Sequence, residues 1–310
     1  MNWRPSASLA VMRARARINR QIRAFFEARG CLEVDTPLLS RSTNTDVNIT
    51  SIEASNLGQK LYLQTSPEFA MKRLLASGIG SIYQICHAFR GGEQGCRHNP
   101  EFTLLEWYRI GFDYQRLMDE VELLINDLSG AANQYKRISY RQLMLDHTGI
   151  AIDAIELPRL RETVARLVPG TNSSKFSIHQ CLDLLLGLVI APALEGYVFV
   201  FDYPASQAAL ARLHAGDATV AERFELFYNG LELANGFSEL CDSSMQRRRF
   251  ENDNKQRAAA GLAQYPVDEL LLAALDSGLP ECAGVAIGLD RLLMVLLDQQ
   301  PIDRVLSFVD

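Results

Sequence analysis

The sequence predicts an α+β fold in which an antiparallel β-sheet is flanked by helices. Residues 81–88 alternate apolar and polar side chains, glycines follow, and a second alternating run begins at Phe102. This pattern is typical of two strands joined by a flexible loop. The dipeptide Asn229-Gly230, between two further alternating runs, predicts a two-residue hairpin turn. Residues 9–29 repeat apolar side chains at helical spacing. Together these segments favour the α+β class.

The remaining elements follow from local start and stop signals. The first helix is predicted to end at Gly30, and a strand is predicted to follow through Pro37. The tripeptide Ser66-Pro67-Glu68 opens a second helix at residues 69–76, with the serine as its cap and the proline in its first turn. Further helices are predicted at residues 114–127, 139–147 and 178–188.

Composition limits the class of protein. The chain has 310 residues, of which 48% are hydrophobic and 22% charged, so it can bury a full core. No apolar run approaches the roughly 20 residues of a membrane helix, and the N-terminus lacks the apolar core of a signal peptide. We therefore expect a cytoplasmic protein. The six cysteines show no CxxC pair, which predicts free thiols. No internal repeat or linker divides residues 1–310, which favours a single catalytic domain.

The charge of the chain bears on its partners. The net charge is -6, whereas a protein that mainly grips nucleic acid normally has a basic face. Two basic runs, Arg13 to Arg20 and Arg247 to Arg249, are predicted to lie on helices as solvated faces. Docking of a partner on either run is the lesser alternative.

The segment from Phe89 to Tyr108 carries the most chemical information. Side chains two apart on a strand share a face, so Glu106 and Tyr108 point the same way, and Arg90 ends the neighbouring strand. A carboxylate and a phenol can bind an ammonium group, while a guanidinium binds a carboxylate or a phosphate. This arrangement predicts acyl-adenylate chemistry, in which an amino acid and ATP are held together.

The second hairpin places two carboxylates near each other. Counting from the turn puts Glu225 opposite Ala234, so that Glu225 and Glu232 are diagonal neighbours on one face. Mg²⁺ carrying ATP phosphates would relieve their repulsion, and the alternative is a pair of ordinary exposed glutamates. Strict alternation turns Glu239 away from Glu232, and a bulge near Gly236 would restore it.

Three segments resemble the signature motifs of class II aminoacyl-tRNA synthetases. Residues 30–37 resemble the first motif, which forms a dimer interface, and residues 284–291 resemble the third. Residues 89–108 resemble the second, and the wording of residues 97–103 is similar to the lysyl branch. These motifs span almost the whole chain. The resemblance implies the class II catalytic core as the fold and a homodimer as the assembly.

The resemblance also implies roles for individual residues. Arg90 and Arg291 would be catalytic, although both could instead be structural ion-pair partners. The residues expected to bind the amino acid are Ser66, Pro67, Glu68, Glu106, Tyr108, Asn235, Glu239 and Ala286. The residues expected to bind ATP are Arg90, Gly91, Gly92, Glu93, Asn99, Phe102, Glu232, Leu233, Gly288 and Arg291. The residues expected to hold Mg²⁺ are Glu225 and Glu232.

The chain departs from the synthetase pattern at two positions. Family members have Phe-Arg-x-Glu, but Gly92 stands at the glutamate position here and Glu93 comes next, so the adenine contact is an open question. Ala286 stands where lysyl-tRNA synthetases have glycine. An added methyl beside a tight pocket discriminates between ligands by ~1 to 3 kcal/mol, which favours a lysine isomer over ordinary lysine.

A narrower resemblance follows from three features. The anticodon-binding domain of lysyl-tRNA synthetases is expected to be absent, and residues 104–109 and 201–207, with Ala286, resemble the elongation factor P lysine ligase family. The resemblance implies activation of lysine or (R)-β-lysine with ATP and Mg²⁺ and transfer to a lysine side chain of elongation factor P. The alternatives are a truncated lysyl-tRNA synthetase, although tRNA is a disfavoured partner, and an inactive paralogue that senses an amino acid or binds a partner.

Overall fold

A nine-stranded sheet, flanked by helices, forms the centre of the computed structural model, which describes residues 3–309. The α-helices of this region are α1 (Leu9–Glu27), α2 (Glu68–Ala76), α3 (Tyr114–Ser129), α4 (Tyr140–Thr148), α5 (Leu157–Leu167), α6 (Ile178–Leu185), α7 (Ser243–Ala259), α8 (Glu269–Gly278) and α9 (Leu289–Leu296). The strands are β1 (Leu32–Glu33), β2 (Leu39–Ser40), β3 (Glu53–Asn56), β4 (Gln59–Leu63), β5 (Ile82–Phe89), β6 (Glu101–Ile110), β7 (Tyr135–Ser139), β8 (Tyr197–Pro204), β9 (Leu213–His214), β10 (Asp217–Tyr228), β11 (Leu231–Ser238) and β12 (Cys282–Gly288).

The main sheet is mostly antiparallel, which confirms the predicted α+β class. Its strand order is β1-β5-β6-β12-β11-β10-β8-β7, and β9 pairs with β10. Only the outer pairs, β1 with β5 and β7 with β8, run parallel within the described strands. Strands β2, β4 and β3 form a separate small sheet.

Both predicted hairpins are present. Strands β5 and β6 pair from Ile82 opposite Tyr108 to Phe89 opposite Glu101, and residues 90–100 form the loop between them. Strands β10 and β11 meet at Asn229-Gly230, where both residues have positive φ, 46° and 76°. This backbone is the one that a tight hairpin turn requires.

The register of the second hairpin differs from the predicted one. Phe227 pairs with Glu232 as expected, but Leu226 pairs with Ala234, so Leu233 has no partner on β10. Glu225 consequently lies opposite Asn235 and not opposite Ala234. The predicted bulge exists, but it lies at Leu233 and not near Gly236. The extra residue turns Glu232 and Glu239 to the same face, because side chains alternate along a strand.

Most helix predictions are confirmed, with corrections at their ends. Helix α1 stops at Glu27 and Gly30 follows with φ 66°. Strand β1 has only two residues and does not reach Pro37, which has no N–H for a ladder. Helix α2 begins at Glu68 with Pro67 as the residue at its cap. The serine prediction was therefore wrong for the cap itself, although the Ser66 hydroxyl accepts a hydrogen bond from the Glu68 N–H at 3.3 Å.

Helix packing leaves one face of the central strands available for a site. Trp107 on β6 points into the core formed with α1 and α3. Its neighbours Glu106 and Tyr108 point to the opposite face, as the alternation of a strand requires. There α2, α7 and α8 pack around Met71 and Phe250 and leave a cleft over the middle of the sheet. Within residues 3–309, no helix combines the length and apolar character needed to cross a membrane.

The two basic runs are not simply solvated faces, so that interpretation was wrong in part. Arg15 on α1 donates to Asp290 Oδ1 at 2.5 Å and to the Thr103 hydroxyl at 2.6 Å. Arg249 on α7 donates to the carbonyl oxygens of Ala209 and Ala211 at 2.6 and 2.7 Å. Both arginines are half-buried and connect elements that are distant in sequence.

Candidate active site

The cleft contains two adjoining cavities, which we call the amino-acid compartment and the nucleotide compartment. The first has a volume of about 130 Å³ and is lined by Glu68, Glu106, Tyr108 and Glu239 among others. The second has a volume of about 270 Å³. The two share a boundary formed by Ile49, Arg90, Asn235 and Ala286.

Strand register explains why these residues meet. Asn235 on β11 pairs with Ala286 on β12, and Ala286 pairs with Glu106 on β6. Residues that are directly opposite on antiparallel strands point to the same face, so these side chains form one row across the sheet. Glu225 on β10 extends the row at one end, and Gln84 on β5 extends it at the other.

The amino-acid compartment is acidic, and its carboxylates are buried. Glu106 and Glu239 are 3% and 2% exposed, and the Tyr108 hydroxyl donates to Glu106 Oε1 at 2.7 Å. Glu106 Oε2 and Glu239 Oε1 are buried and have no hydrogen-bond donor among the described residues. Such acceptors are costly to bury unless a ligand or water supplies protons for them. The compartment therefore suits a cationic ligand.

The raised pKa values of Glu106 and Glu239 also indicate that the compartment has too little positive charge to balance its carboxylates. Burial raises the pKa of Glu106 to about 8, and the neighbouring Glu68 charge adds to the effect. Burial also raises the pKa of Glu239 to about 8, against the lowering influence of Lys72. Burial and the adjacent carboxylates raise the pKa of Tyr108 well above its ordinary value, so its hydroxyl stays protonated. A bound ammonium would stabilise the charged carboxylates.

Lys72 was not singled out by the sequence analysis, although it is the cation closest to these carboxylates. Its Nζ lies 2.7 Å from Glu68 Oε1 and 2.5 Å from Glu239 Oε2. Half of this bridge was visible in the sequence, because Glu68 and Lys72 are four apart on a helix. The other half depends on β11 meeting α2, which no local pattern encodes.

Gly284 gives Tyr108 and Glu239 the room that they occupy. A Cβ at this position would lie 2.3 Å from Tyr108 Cε1 and 2.5 Å from Glu239 Oε1. Any other residue would displace one of these side chains, so the compartment needs glycine here.

The nucleotide compartment is lined by many of the residues predicted to bind ATP. Arg90 is at its boundary with the amino-acid compartment, and its Nε atom is buried without an acceptor among the described residues. The Arg90 guanidinium lies 5.1 Å from the centroid of the Phe102 ring. The predicted residues that line this compartment are Arg90, Glu93, Asn99, Phe102, Glu232, Leu233, Gly288 and Arg291.

In the loop of the second motif, which departs from the family pattern at Gly92, the next residue supplies the carboxylate. Glu93 lines the nucleotide compartment, with Oε1 at 3.7 Å from Arg90 Nη1, whereas Gly92 turns there with φ 79° and lines neither compartment. Gly91 also lies outside the lining, and its N–H donates to the Thr50 carbonyl at 2.7 Å. The carboxylate of the loop thus reaches the cavity one residue later than in the family pattern.

Four other residues predicted to bind a ligand have different surroundings. Ser66 lines the amino-acid compartment, but Pro67 lines a separate cavity of about 60 Å³. Asn99 lines the nucleotide compartment and donates to the Glu101 carbonyl at 2.7 Å. Arg291 donates to the Glu232 carbonyl at 3.0 Å and to the Arg97 carbonyl at 3.3 Å, so it joins both hairpins.

The carboxylate pair proposed for Mg²⁺ is compatible with a hard cation. Glu232 is accessible in the nucleotide compartment, while Glu225 is buried beside it and accepts from Arg223 at 2.6 Å. Burial and the Glu232 charge raise the pKa of Glu225 to about 7, against the lowering influence of Arg223. Carboxylate oxygens are ligands that Mg²⁺ prefers, and Glu225 retains one oxygen beyond its contact with Arg223 at Oε1. Glu232 therefore fits the ion from inside the nucleotide compartment, whereas Glu225 lies outside the lining of both compartments.

Comparison with known proteins decides the family. The class II tRNA synthetases of the D, K and N group match residues 1–310. A protein from Edwardsiella ictaluri (strain 93-146) named elongation factor P–(R)-beta-lysine ligase is 46% identical over 316 residues, which cover 99% of this chain and 97% of that protein. The chain belongs to this class II synthetase family. Relatives with the same name from Vibrio atlanticus (strain LGP32) and Proteus mirabilis (strain HI4320) are each 45% identical, with the same coverage of both chains.

Membership in the class II family connects the fold with the site. The curated relatives are named as ligases, and a class II synthetase domain fits an ATP-dependent amino-acid ligase, so the chain is an enzyme of this kind. The second motif is the β5–β6 hairpin and the third is β12 with the start of α9. Both motifs line the same cleft.

The third motif is held in place by α1, a connection that no local sequence pattern predicts. Asp290 is 2% exposed, and its Oδ2 accepts from the Thr103 N–H at 2.7 Å. Arg15 of α1 binds the other oxygen of the same carboxylate. The residue before Arg291 is thereby fixed to both α1 and β6.

Proposed function

We propose that this enzyme activates a lysine-type diamino acid, (R)-β-lysine or lysine, as an aminoacyl adenylate and transfers the acyl group to a lysine side chain of elongation factor P. One observation carries the proposal. Among the described residues, buried Glu106 Oε2 and Glu239 Oε1 at one end of the cleft have no donor, and buried Arg90 Nε near its middle has no acceptor. A ligand with ammonium groups at one end and an anion at the other satisfies both.

The amino-acid compartment supplies the recognition of the substrate amines. Glu106, Tyr108 and Glu239 surround the position for the side-chain ammonium, and Glu68 with Ser66 faces the amine nearer the carboxylate. A buried ammonium requires compensating partners, and these carboxylates provide them. Asn235 and Ala286 form the boundary at which the substrate carboxylate would enter the nucleotide compartment.

Activation requires positioning and neutralisation of charge more than covalent chemistry by the protein. A substrate carboxylate oxygen attacks the α-phosphorus of ATP, and pyrophosphate leaves. Arg90 binds the carboxylate and the α-phosphate, and Arg291 stabilises charge on the remaining phosphates. Asn99 and Phe102 position the nucleoside, and Glu93, Leu233 and Gly288 complete the contacts. Mg²⁺ held by Glu225 and Glu232 would supply further neutralisation of phosphate charge.

Transfer places the acyl group on a protein amine. The acceptor nitrogen attacks the carbonyl carbon of the adenylate, an amide forms and AMP leaves. The amine must be neutral for this attack, although a free lysine titrates near pH ~10.4, so a proton has to be removed as it enters the cleft. We also propose that residues 1–310 act as one catalytic domain and that the reaction occurs in the cytoplasm.

A homodimer is part of the proposal. The first-motif region exposes Leu32, Leu38 and Leu39, which are 51%, 41% and 46% exposed. Apolar side chains clustered at one surface are typical of an interface between subunits. Sedimentation at two concentrations tests this assembly, and a monomer at micromolar concentration would contradict it.

The decisive experiment separates the acceptors. Purified enzyme is given ATP and labelled (R)-β-lysine or lysine, with either elongation factor P or lysine tRNA. We expect label on elongation factor P, no label on tRNA, and no label on elongation factor P whose acceptor lysine is replaced. Acylation of tRNA alone would identify a truncated lysyl-tRNA synthetase. Absence of ATP–pyrophosphate exchange with every lysine isomer would identify an inactive paralogue.

A further inference from the structure

We propose that Lys72 is a positioning residue that makes the amino-acid compartment selective for substrates with two ammonium groups. The inference rests on the proposed function for the identity of the substrate. It concerns a residue behind the cavity wall, because Lys72 is 1% exposed and does not belong to the lining of the compartment. Lys72 touches the carboxylates that face the ligand and would act through them.

The geometry places one cation between two elements. Lys72 is on α2, one turn after Glu68, and its Nζ bridges Glu68 Oε1 at 2.7 Å and Glu239 Oε2 at 2.5 Å. The Nζ also lies 5.4 Å from the centroid of the Phe237 ring, on the strand that leads to Glu239. The single ammonium thus fixes the first turn of α2 relative to the end of β11.

Charge then decides what the compartment accepts. Three carboxylates, Glu68, Glu106 and Glu239, face the cavity, and Lys72 neutralises one of them. When a bound cation keeps all three carboxylates ionised, two negative charges remain, which equals the number of ammonium groups on a diamino acid. An amino acid with one ammonium leaves a buried carboxylate without a partner, and such a carboxylate is costly or takes up a proton.

The other titratable groups around Lys72 do not alter this net charge of the compartment. Tyr108 on β6 is neutral, because burial and the adjacent carboxylates raise its pKa well above the ordinary value. Cys241 and Cys282 also interact with Lys72, and burial raises the pKa of both thiols. Burial lowers the pKa of Lys72, but Glu239 and Glu68 outweigh this effect and raise it, so the lysine remains charged.

Loss of the Lys72 charge should change the pH dependence of KM, whereas loss of a structural contact alone should not. Without Lys72, Glu68 and Glu239 repel each other, and a proton takes the place of the ammonium. A protonated carboxyl binds a substrate ammonium poorly. The KM for the diamino acid should therefore rise most near neutral pH and recover at higher pH, where the carboxyl ionises again.

The test compares three variants with the wild type in ATP–pyrophosphate exchange between pH 6 and pH 10. For Lys72→Met we expect the KM for the diamino acid at pH 7 to rise about tenfold or more, the pH midpoint of 1/KM to move up by about one unit, and the KM for ATP to change little. Lys72→Arg retains the charge and should retain the wild-type midpoint. Lys60→Met is the matched control, because Lys60 also pairs with a glutamate, Glu53 at 2.5 Å, but is exposed and outside the cleft.

A double variant keeps the test decisive if Lys72→Met does not fold. Glu68→Gln with Lys72→Met removes one negative and one positive charge. The compartment then again has two more negative charges than positive charges. We expect its pH midpoint to return to within about half a unit of the wild type, although its KM stays raised because Glu68 itself faces the substrate. An unchanged midpoint in Lys72→Met, or a double variant shifted as far as the single variant, overturns the proposal. A wild type without exchange activity would instead overturn the proposed function.

Discussion

The two compartments of the cleft differ in how far their charged groups are already paired within the protein. In the amino-acid compartment, Glu106 Oε2 and Glu239 Oε1 are buried and have no donor in the part of the chain that the structure describes. In the nucleotide compartment, Arg291 is already paired with backbone carbonyls and with Glu232, and most of residues 91–100 are exposed. The first compartment is organised before its ligand arrives and lacks positive charge. The second has its charges partly balanced by neighbours, so its selectivity depends less on a single buried group.

The largest expected effect comes from removing a carboxylate of the amino-acid compartment. Glu239→Gln should raise the KM for the diamino acid about 100-fold and change the KM for ATP little, because a buried charge pair with the substrate is lost. Steady-state exchange kinetics measure both constants. Glu120→Gln is the matched control, since Glu120 is a buried glutamate that binds Trp107 outside the cleft at 3.0 Å. Equal changes in both constants would mean that the two compartments are not independent.

Adding a methyl group that fills space in the amino-acid compartment should have the next largest effect. Gly284→Ala forces a methyl against Tyr108 and Glu239, at distances that no real contact shows. We expect the KM for the diamino acid to rise tenfold or more and the protein to lose about 1 to 3 kcal/mol of stability. Gly187→Ala serves as control, because a Cβ there meets nothing within 4 Å. Wild-type kinetics for Gly284→Ala would contradict the described packing.

The stability of the ligand-free enzyme should depend on pH because of the same carboxyls. Glu106 and Glu239 have pKa values near 8 in the folded protein, above the ordinary value of 4.5. Between these values the folded state binds more protons than the unfolded state, so stability falls as pH rises from about 5 to 8, by up to roughly 1.4 kcal/mol per pH unit for each group. Thermal melting measures this fall.

A bound diamino acid should flatten that pH dependence, because its ammonium groups replace the protons. Glu106→Gln should remove part of the slope in the ligand-free enzyme. A melting temperature that rises between pH 5 and pH 8 would show that other groups dominate.

At the nucleotide end, the expected effects are smaller. Arg15→Met releases Asp290, and we expect about a fivefold rise in the KM for ATP with little change for the diamino acid, because the first turn of α9 loses a fixed orientation. Arg13→Met is the control on the same helix, at an exposed position. An effect confined to the diamino acid would invert the assignment of the two compartments.

The smallest effect is expected at the boundary between the compartments. Ala286→Gly removes one methyl from the surface that both cavities share. We expect the preference between lysine and (R)-β-lysine to shift toward lysine by severalfold, because one methyl is worth about 1 to 3 kcal/mol in a tight pocket. Competition between the two isomers measures the ratio. Unchanged selectivity would remove this methyl from the explanation.

The difference between the compartments also explains what the sequence could predict. Glu106 and Tyr108 follow from alternation on one strand, and the Asn229-Gly230 turn follows from local chemistry, so both were predicted correctly. The bridge from Lys72 to Glu239 joins residues 167 positions apart, and the contact from Arg15 to Asp290 joins residues 275 apart. Such contacts depend on how elements pack. Local patterns therefore identified the residues that line the cleft better than the residues that hold them in place.

The bulge at Leu233 has a consequence for the whole end of β11. A strand repeats every two residues, so one unpaired position exchanges the two faces for everything that follows it. If Leu233 were paired with Leu226 in a regular ladder, Ala234, Gly236 and Ser238 would line the cleft, and Asn235, Phe237 and Glu239 would lie beneath the sheet. The bulge thus absorbs Leu233 without changing the pairing of Ala234 and Asn235, and a deletion of Leu233 alone would restore a regular ladder and leave Asn235, Phe237 and Glu239 facing the cleft.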